Sequence, residues 1–169
     1  NTKPFFLAVG FKRPHLPFSA PQKYWNFYKK ERMPLAPFRA QAENTGKLAY
    51  HISGELRSYV EEGREYTSDE NNQLVLDEDF QRDLIHGYYA CASFIDAQVG
   101  RLLDALDQEG VADNTVIVLW SDHGWKLGDY GGWGKMTNYE QDTRVPLIIK
   151  PAGNNVDGEP LRKQIVELT

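Results

Sequence analysis

Little in this sequence could cross-link it. Cys91 is the single cysteine, so no disulfide can form within the chain, and cysteine usage leaves the redox compartment open. No apolar run approaches the roughly 18 residues of a membrane-spanning helix, and no secretory leader is visible. A basic cluster is missing too. The 19 Lys and Arg stand against 24 Asp and Glu, a net charge of -5, which argues against a nucleic-acid partner because phosphate neutralisation needs a basic face. An anionic small substrate needs only a local positive pocket and stays open. Methionine is absent from position 1: the chain begins Asn1-Thr2-Lys3-Pro4 directly before an apolar run. That start predicts a piece of a longer protein whose targeting segment, if any, lies upstream.

What is present suits a globular domain. With 169 residues, 41% apolar and 25% charged, the chain is long enough to bury a core. Its most informative stretch is residues 115–135, TVIVLWSDHGWKLGDYGGWGK. Val116 to Trp120 form a continuous apolar run, which predicts a strand buried on both faces of a parallel sheet. Ser121, Asp122 and His123 follow at the expected strand end, where open α/β sheets bind ligands. Gly128, Gly131, Gly132 and Gly134 come next, and their missing side chains would let the backbone approach an oxyanion. Lys135 closes the stretch. A phosphate-binding P-loop is excluded, because Asp129 stands where the first glycine is needed and Met136 follows the lysine. The dinucleotide GxGxxG pattern fails at Thr137. A carboxylate, an imidazole and an amine on one unit favour a metal and anion site over a plain structural turn.

Elsewhere, residues 5–11, FFLAVGF, read as another buried strand. It runs into Lys12-Arg13-Pro14-His15-Leu16-Pro17, whose prolines forbid helix and favour an extended backbone. His15 in that basic loop is a candidate ligand-binding group, the alternative being an ordinary surface histidine. A short helix is expected over residues 19–28. Residues 39–72 carry no strong period and read as an irregular insertion shaping specificity; His51 within it reads as structural. The clearest helix is predicted over residues 79–109, with Asp77 as N-cap and Gly110 as C-terminal stop. Its stripe of Phe80, Leu84, Tyr88, Cys91, Ile95, Val99, Leu102 and Leu106 faces a core. Cys91 is therefore a packed thiol rather than a nucleophile, and His86, off the stripe, is expected in solvent. Residues 145–150, VPLIIK, predict a third buried strand. The order of elements makes the class α/β. The tail over residues 151–158 is turn-rich, and a new element is expected to begin at residues 164–169.

Three separated segments, SDHGWKLGDYGGWGK with its flanking VIVLW and TRVPLIIKPAG, FFLAVGFKRPHLPF, and GYYACASFIDAQVGRLLDAL, resemble the sulfatases, on the branch that includes iduronate-2-sulfatase and choline-sulfatase. The resemblance implies part of an alkaline-phosphatase-like domain, a mostly parallel sheet flanked by helices, that hydrolyses a sulfate ester of a small molecule or carbohydrate. It implies Asp122 and His123 as metal ligands, usually for calcium, and Lys135 and His15 as groups that contact the sulfate and help protonate the leaving alcohol. It also implies an exported, periplasmic or lysosomal protein. The family's nucleophile is a formylglycine made within a Cys/Ser-x-Pro-x-Arg motif, which this chain lacks. Ser19-Ala20-Pro21-Gln22-Lys23 is a decoy, ending in lysine and following the strand it should precede. The nucleophile is thus expected upstream, and the chain alone is expected to be inactive. The Asp-His pair also resembles the related phosphonate and phosphodiester hydrolases, which favour manganese or zinc. A third reading is a non-catalytic module binding sulfated sugars through Lys12, Arg13, His15 and Lys135.

Overall fold

The computed structural model describes residues 3–46, 49–59, 66–70, 72–153 and 166. Its longest element forms where the apolar period is strongest. Helix α3 runs Glu78–Gln108, and the Asp77 side chain caps it by accepting from the Phe80 amide at 2.7 Å. At the other end Gly110 takes a positive φ of 68°. The Val111 amide reaches back to Leu106 O and the Gly110 amide to Asp107 O, each at 3.0 Å, the Schellman closure that needs such a residue.

Only the first half of α3 is deeply packed. Phe80, Leu84, Ile85, Ala90 and Cys91 are buried, whereas Ile95, Val99, Leu102 and Leu106 are half-buried. The core joins Phe80, Leu84 and Ile85 to Leu16, Met33, Leu56, Leu74 and Trp133. Gly87 lets the chain close on α3, since a Cβ there would lie 2.8 Å from Phe18 Cβ. Helix α1, Gln22–Trp25, packs on that face and is shorter than the expected span. Tyr28 Oη meets Ser93 Oγ at 2.6 Å, and Lys30 bridges Asp79 and Asp83 at 2.8 Å each. His86 is not in solvent: its Nε2 lies 2.9 Å from Trp25 O, with the ring edge-on to Trp25. Cys91 is a fully buried free thiol, as its place on the stripe predicts, and burial pushes its pKa up.

The segment 39–72 supplies helix α2, Gly54–Arg57, and strand β1, Thr67–Ser68, which pairs antiparallel with β2, Leu74–Val75. Strand β3, Ile117–Trp120, pairs antiparallel with β6, Leu147–Lys150, with Val118 opposite Ile149. Between them lie β4, Lys126–Leu127, its antiparallel partner β5, Trp133–Gly134, and helix α4, Glu140–Thr143.

Helix and strand are mixed, as the α/β class requires. The local strand readings need three corrections. The strand pairs among the described residues are antiparallel. β3 and β6 are not covered on both faces: Val118, Trp120, Ile148 and Ile149 are all exposed, because each strand has a neighbour on one edge and no layer over it among the described residues. Residues 5–11 form no strand, and Phe6 and Leu7 are exposed. An apolar run specifies a strand only when a pairing edge is supplied, and the described residues supply none. Most of the tail readings, over 151–158 and 164–169, lie outside the described residues.

Candidate functional site

The loop from β3 back to β6 carries the site. Its glycines do not form an anion cradle. β4 and β5 make a hairpin, and the turn uses its own amides: Gly128 N donates to Gly132 O at 2.9 Å, Gly131 N to Gly128 O at 3.1 Å, and Gly132 N to Asp129 O at 2.9 Å. Positive φ at Gly128, Gly131 and Gly134, of 104°, 75° and 115°, explains the glycines conformationally. The hairpin delivers Lys135 immediately after β5.

Beneath it lies a polar knot that charge patterning does not reveal. Lys126 and Asp142 are 4% and 5% exposed and form an ion pair. Asp142 also accepts from the Thr137 amide at 2.7 Å and the Thr137 hydroxyl at 2.6 Å, while Lys126 reaches Thr137 Oγ1 at 2.9 Å. The Gly124 amide donates to Asp142 O at 2.8 Å, an approach a Cβ at Gly124 would block, since it would sit 2.0 Å from Gln141 O. Thr137, two residues after Lys135, is thereby tied through Asp142 to Gly124, which directly follows Asp122 and His123.

Lys135 and His15, separated by 120 residues in sequence, meet: Nζ to Nε2 is 3.3 Å. His15 sits in a turn closed by its amide to Lys12 O at 3.0 Å, rather than in extended chain, because Arg13 folds back on Ser19 O at 3.1 Å. The two sequence candidates share a third partner that no sequence motif marks. Glu55 places Oε2 2.6 Å from Lys135 Nζ and Oε1 2.7 Å from His15 Nε2. Burial works to raise the Glu55 carboxyl, but the hydrogen bond and charge of Lys135, with the charges of His15 and His123, outweigh it and hold the group below the usual carboxylate range. Trp125 forms the floor, with Lys135 Nζ 4.8 Å from its ring centroid and His15 and His123 centroids at 6.0 and 6.4 Å.

Asp122 and His123 precede Trp125 in the same loop, and the His123 ring is tilted against Trp125. His123 Nδ1 lies 2.8 Å from Gly124 O, and a carbonyl only accepts, so Nδ1 carries the hydrogen and Nε2 is left with the lone pair in the neutral ring. Asp122 Oδ2 is 3.7 Å from that Nε2, and the Asp122 side chain is 84% exposed. Both donors fit a divalent cation, with the carbonyl fixing the tautomer as such ligands require. Among the described residues no group of three or more His, Cys, Asp or Glu side chains is gathered for a metal. His51 is a backbone prop, its Nδ1 accepting from the Ser53 amide at 3.2 Å. No helix of the described residues is long and apolar enough to cross a membrane.

Comparison with known proteins bears on this geometry. The family model described as Sulfatase matches residues 1–167. Iduronate 2-sulfatase of Mus musculus is 38% identical over 156 residues, covering 90% of this chain and 27% of that protein. The solved phosphonate monoester hydrolase of Agrobacterium radiobacter superposes with a TM-score of 0.66 at 26% identity, over 90% of this chain and 30% of that one. A second phosphonate monoester hydrolase, from Silicibacter pomeroyi, gives 0.60 at 30% identity over 83% and 27%. The chain spans less than a third of the length of each.

Proposed function

We propose, from the premise that this chain belongs to the sulfatase family, that it contributes the anion-binding and proton-donating half of a sulfate-ester hydrolase. Its fold is part of the alkaline-phosphatase-like α/β architecture of its structural neighbours. The observation that carries the reading is the 3.3 Å approach of Lys135 Nζ to His15 Nε2 from opposite ends of the chain. An ammonium offsets negative charge growing on a sulfuryl group, and an imidazole near neutral pH hands a proton to the departing alcohol oxygen. Trp125 walls the two groups on one side, so the charge pair works against an apolar surface.

Asp122 and His123 are the residues that would hold a metal. The resemblance implies calcium; the imidazole suits manganese or zinc as the alternative. Such an ion, when bound, would withdraw charge from the sulfuryl oxygens as a Lewis acid. The nucleophile, a formylglycine on the resemblance, belongs to a segment outside this sequence, so the chain alone is inactive on this account. The substrate is a sulfated small molecule or carbohydrate.

Incubating the full-length protein, and separately the 169-residue chain, with 4-nitrophenyl sulfate tests the proposal. Turnover by the first and none by the second is expected; turnover by the chain alone would refute the division of labour. A second reading follows from the two structural neighbours, both phosphonate monoester hydrolases. On that reading the full-length protein cleaves phenyl phosphonate monoesters and leaves aryl sulfates intact.

A further inference from the structure

Glu55 has no part in the proposed chemistry, yet it contacts both Lys135 and His15. It belongs to α2, whose Leu56 is 3% exposed in the core. Just before it, Ser53 is 1% exposed and takes a left-handed backbone at φ 53°, a conformation a non-glycine residue holds only when its surroundings enforce it. The enforcing contact is visible: Ser53 Oγ accepts from the Trp133 amide at 2.9 Å. Trp133 opens β5, and Lys135 follows β5 directly, so α2 and the segment carrying Lys135 are tied together beside the site.

The carboxylate spans its two nitrogen partners with one oxygen each, at 2.7 Å to His15 Nε2 and 2.6 Å to Lys135 Nζ. Two oxygens of one oxyanion, shared between the same two nitrogens, would make the same pattern. His15 Nδ1 already donates to Leu16 O at 2.8 Å, so Nε2 is the only ring nitrogen left to face an anion, and Glu55 covers it. Glu55 is also 29% exposed, which leaves its side chain a path into solvent.

We infer that Glu55 is a placeholder for the substrate anion: its carboxylate occupies the oxyanion position between Lys135 and His15 in the anion-free site, and the incoming sulfate must displace it. It is a positioning residue, holding the Lys135 ammonium and the His15 ring beside each other through one oxygen to each. The displacement lowers anion affinity, which favours release of inorganic sulfate. This inference rests on the sulfatase reading only in taking sulfate as the anion.

Calorimetric titration of the full-length protein with inorganic sulfate, at constant ionic strength, tests it. Glu55→Gln is expected to bind sulfate about tenfold more tightly than the unaltered protein, the ratio that corresponds to one charge-assisted hydrogen bond no longer broken. Glu55→Asp keeps the charge but is one methylene too short to span both nitrogens, so it is expected to tighten binding as well. Lys135→Met is expected to abolish it. Circular dichroism melting of each variant identifies any that fails to fold, and if Glu55→Gln does, the Asp variant carries the test. Tighter binding in Gln alone would mean a simple charge effect and would overturn the placeholder role. Equal or weaker binding in both, with the unaltered protein still binding, overturns it while leaving the anion site standing. No sulfate binding in any form would sink the anion-site reading itself, and this inference with it.

Discussion

Removing either member of the buried Lys126–Asp142 pair should cost far more than removing both. Each is 5% exposed or less, so a lone survivor would be a charge without water. Breaking such a pair typically costs about 3–5 kcal/mol, whereas exchanging both members for apolar groups of similar size is often neutral. The structure ranks the two singles. Without Lys126, Asp142 keeps the Thr137 amide and hydroxyl as donors; without Asp142, Lys126 keeps only Thr137 Oγ1. Lys126→Met should therefore fall near the lower end of that range and Asp142→Leu near the upper end. The double variant loses the Thr137 amide contact as well, worth about 1 kcal/mol, and should be less destabilised than either single. Urea unfolding followed by far-UV circular dichroism, with a common m-value, gives the four free energies. Two singles of about 1 kcal/mol or less that simply add would refute the buried-pair account, because that is how exposed ion pairs behave.

Leu84→Ala removes a core side chain that is 5% exposed and should cost about 2–5 kcal/mol in the same unfolding assay. Asp77→Ala deletes the N-cap of α3 and should cost about 1 kcal/mol, whereas Asp77→Ser should recover most of it. The Glu55 carboxyl has a folded pKa below its unfolded value, so its contribution to stability is present above the ordinary carboxylate range and disappears as pH falls through the lowered folded value. Unfolding free energies measured from pH 7 down to pH 3 should therefore drop less steeply in Glu55→Gln than in the unaltered chain; identical slopes would contradict the ion-pair geometry.

Much of the helical frame was legible because its signals are local. Asp77, Gly110 and the spacing of Phe80, Leu84 and Cys91 lie within one continuous helix, where period and caps are read from neighbours in sequence. The strands at 117–120 and 147–150 were legible as strands, but their antiparallel pairing was not, since direction depends on how residues 121–146 fold between them. The run at 5–11 has strand composition without a strand partner among the described residues. His86 looked solvent-facing because its cover, Trp25, comes from 61 residues away. Within the site, Lys135 and His15 were legible through the resemblance and do meet. Glu55 was not, because a four-residue helix has no period and its contact with Lys135 spans 80 residues. Lys126 and Asp142 were not legible either, for a related reason: burial of a charge is decided by its partner, here 16 residues on.

The central claim is that Lys135 and His15 act together on a sulfate ester, and Lys135 is its sharpest test. In the full-length protein, steady-state hydrolysis of 4-nitrophenyl sulfate should fall by about 10²–10³-fold in kcat for Lys135→Met, the loss expected when a preorganised charge facing the transition state is removed. Turnover that survives Lys135→Met undiminished, in a variant that melts like the parent, would contradict the account.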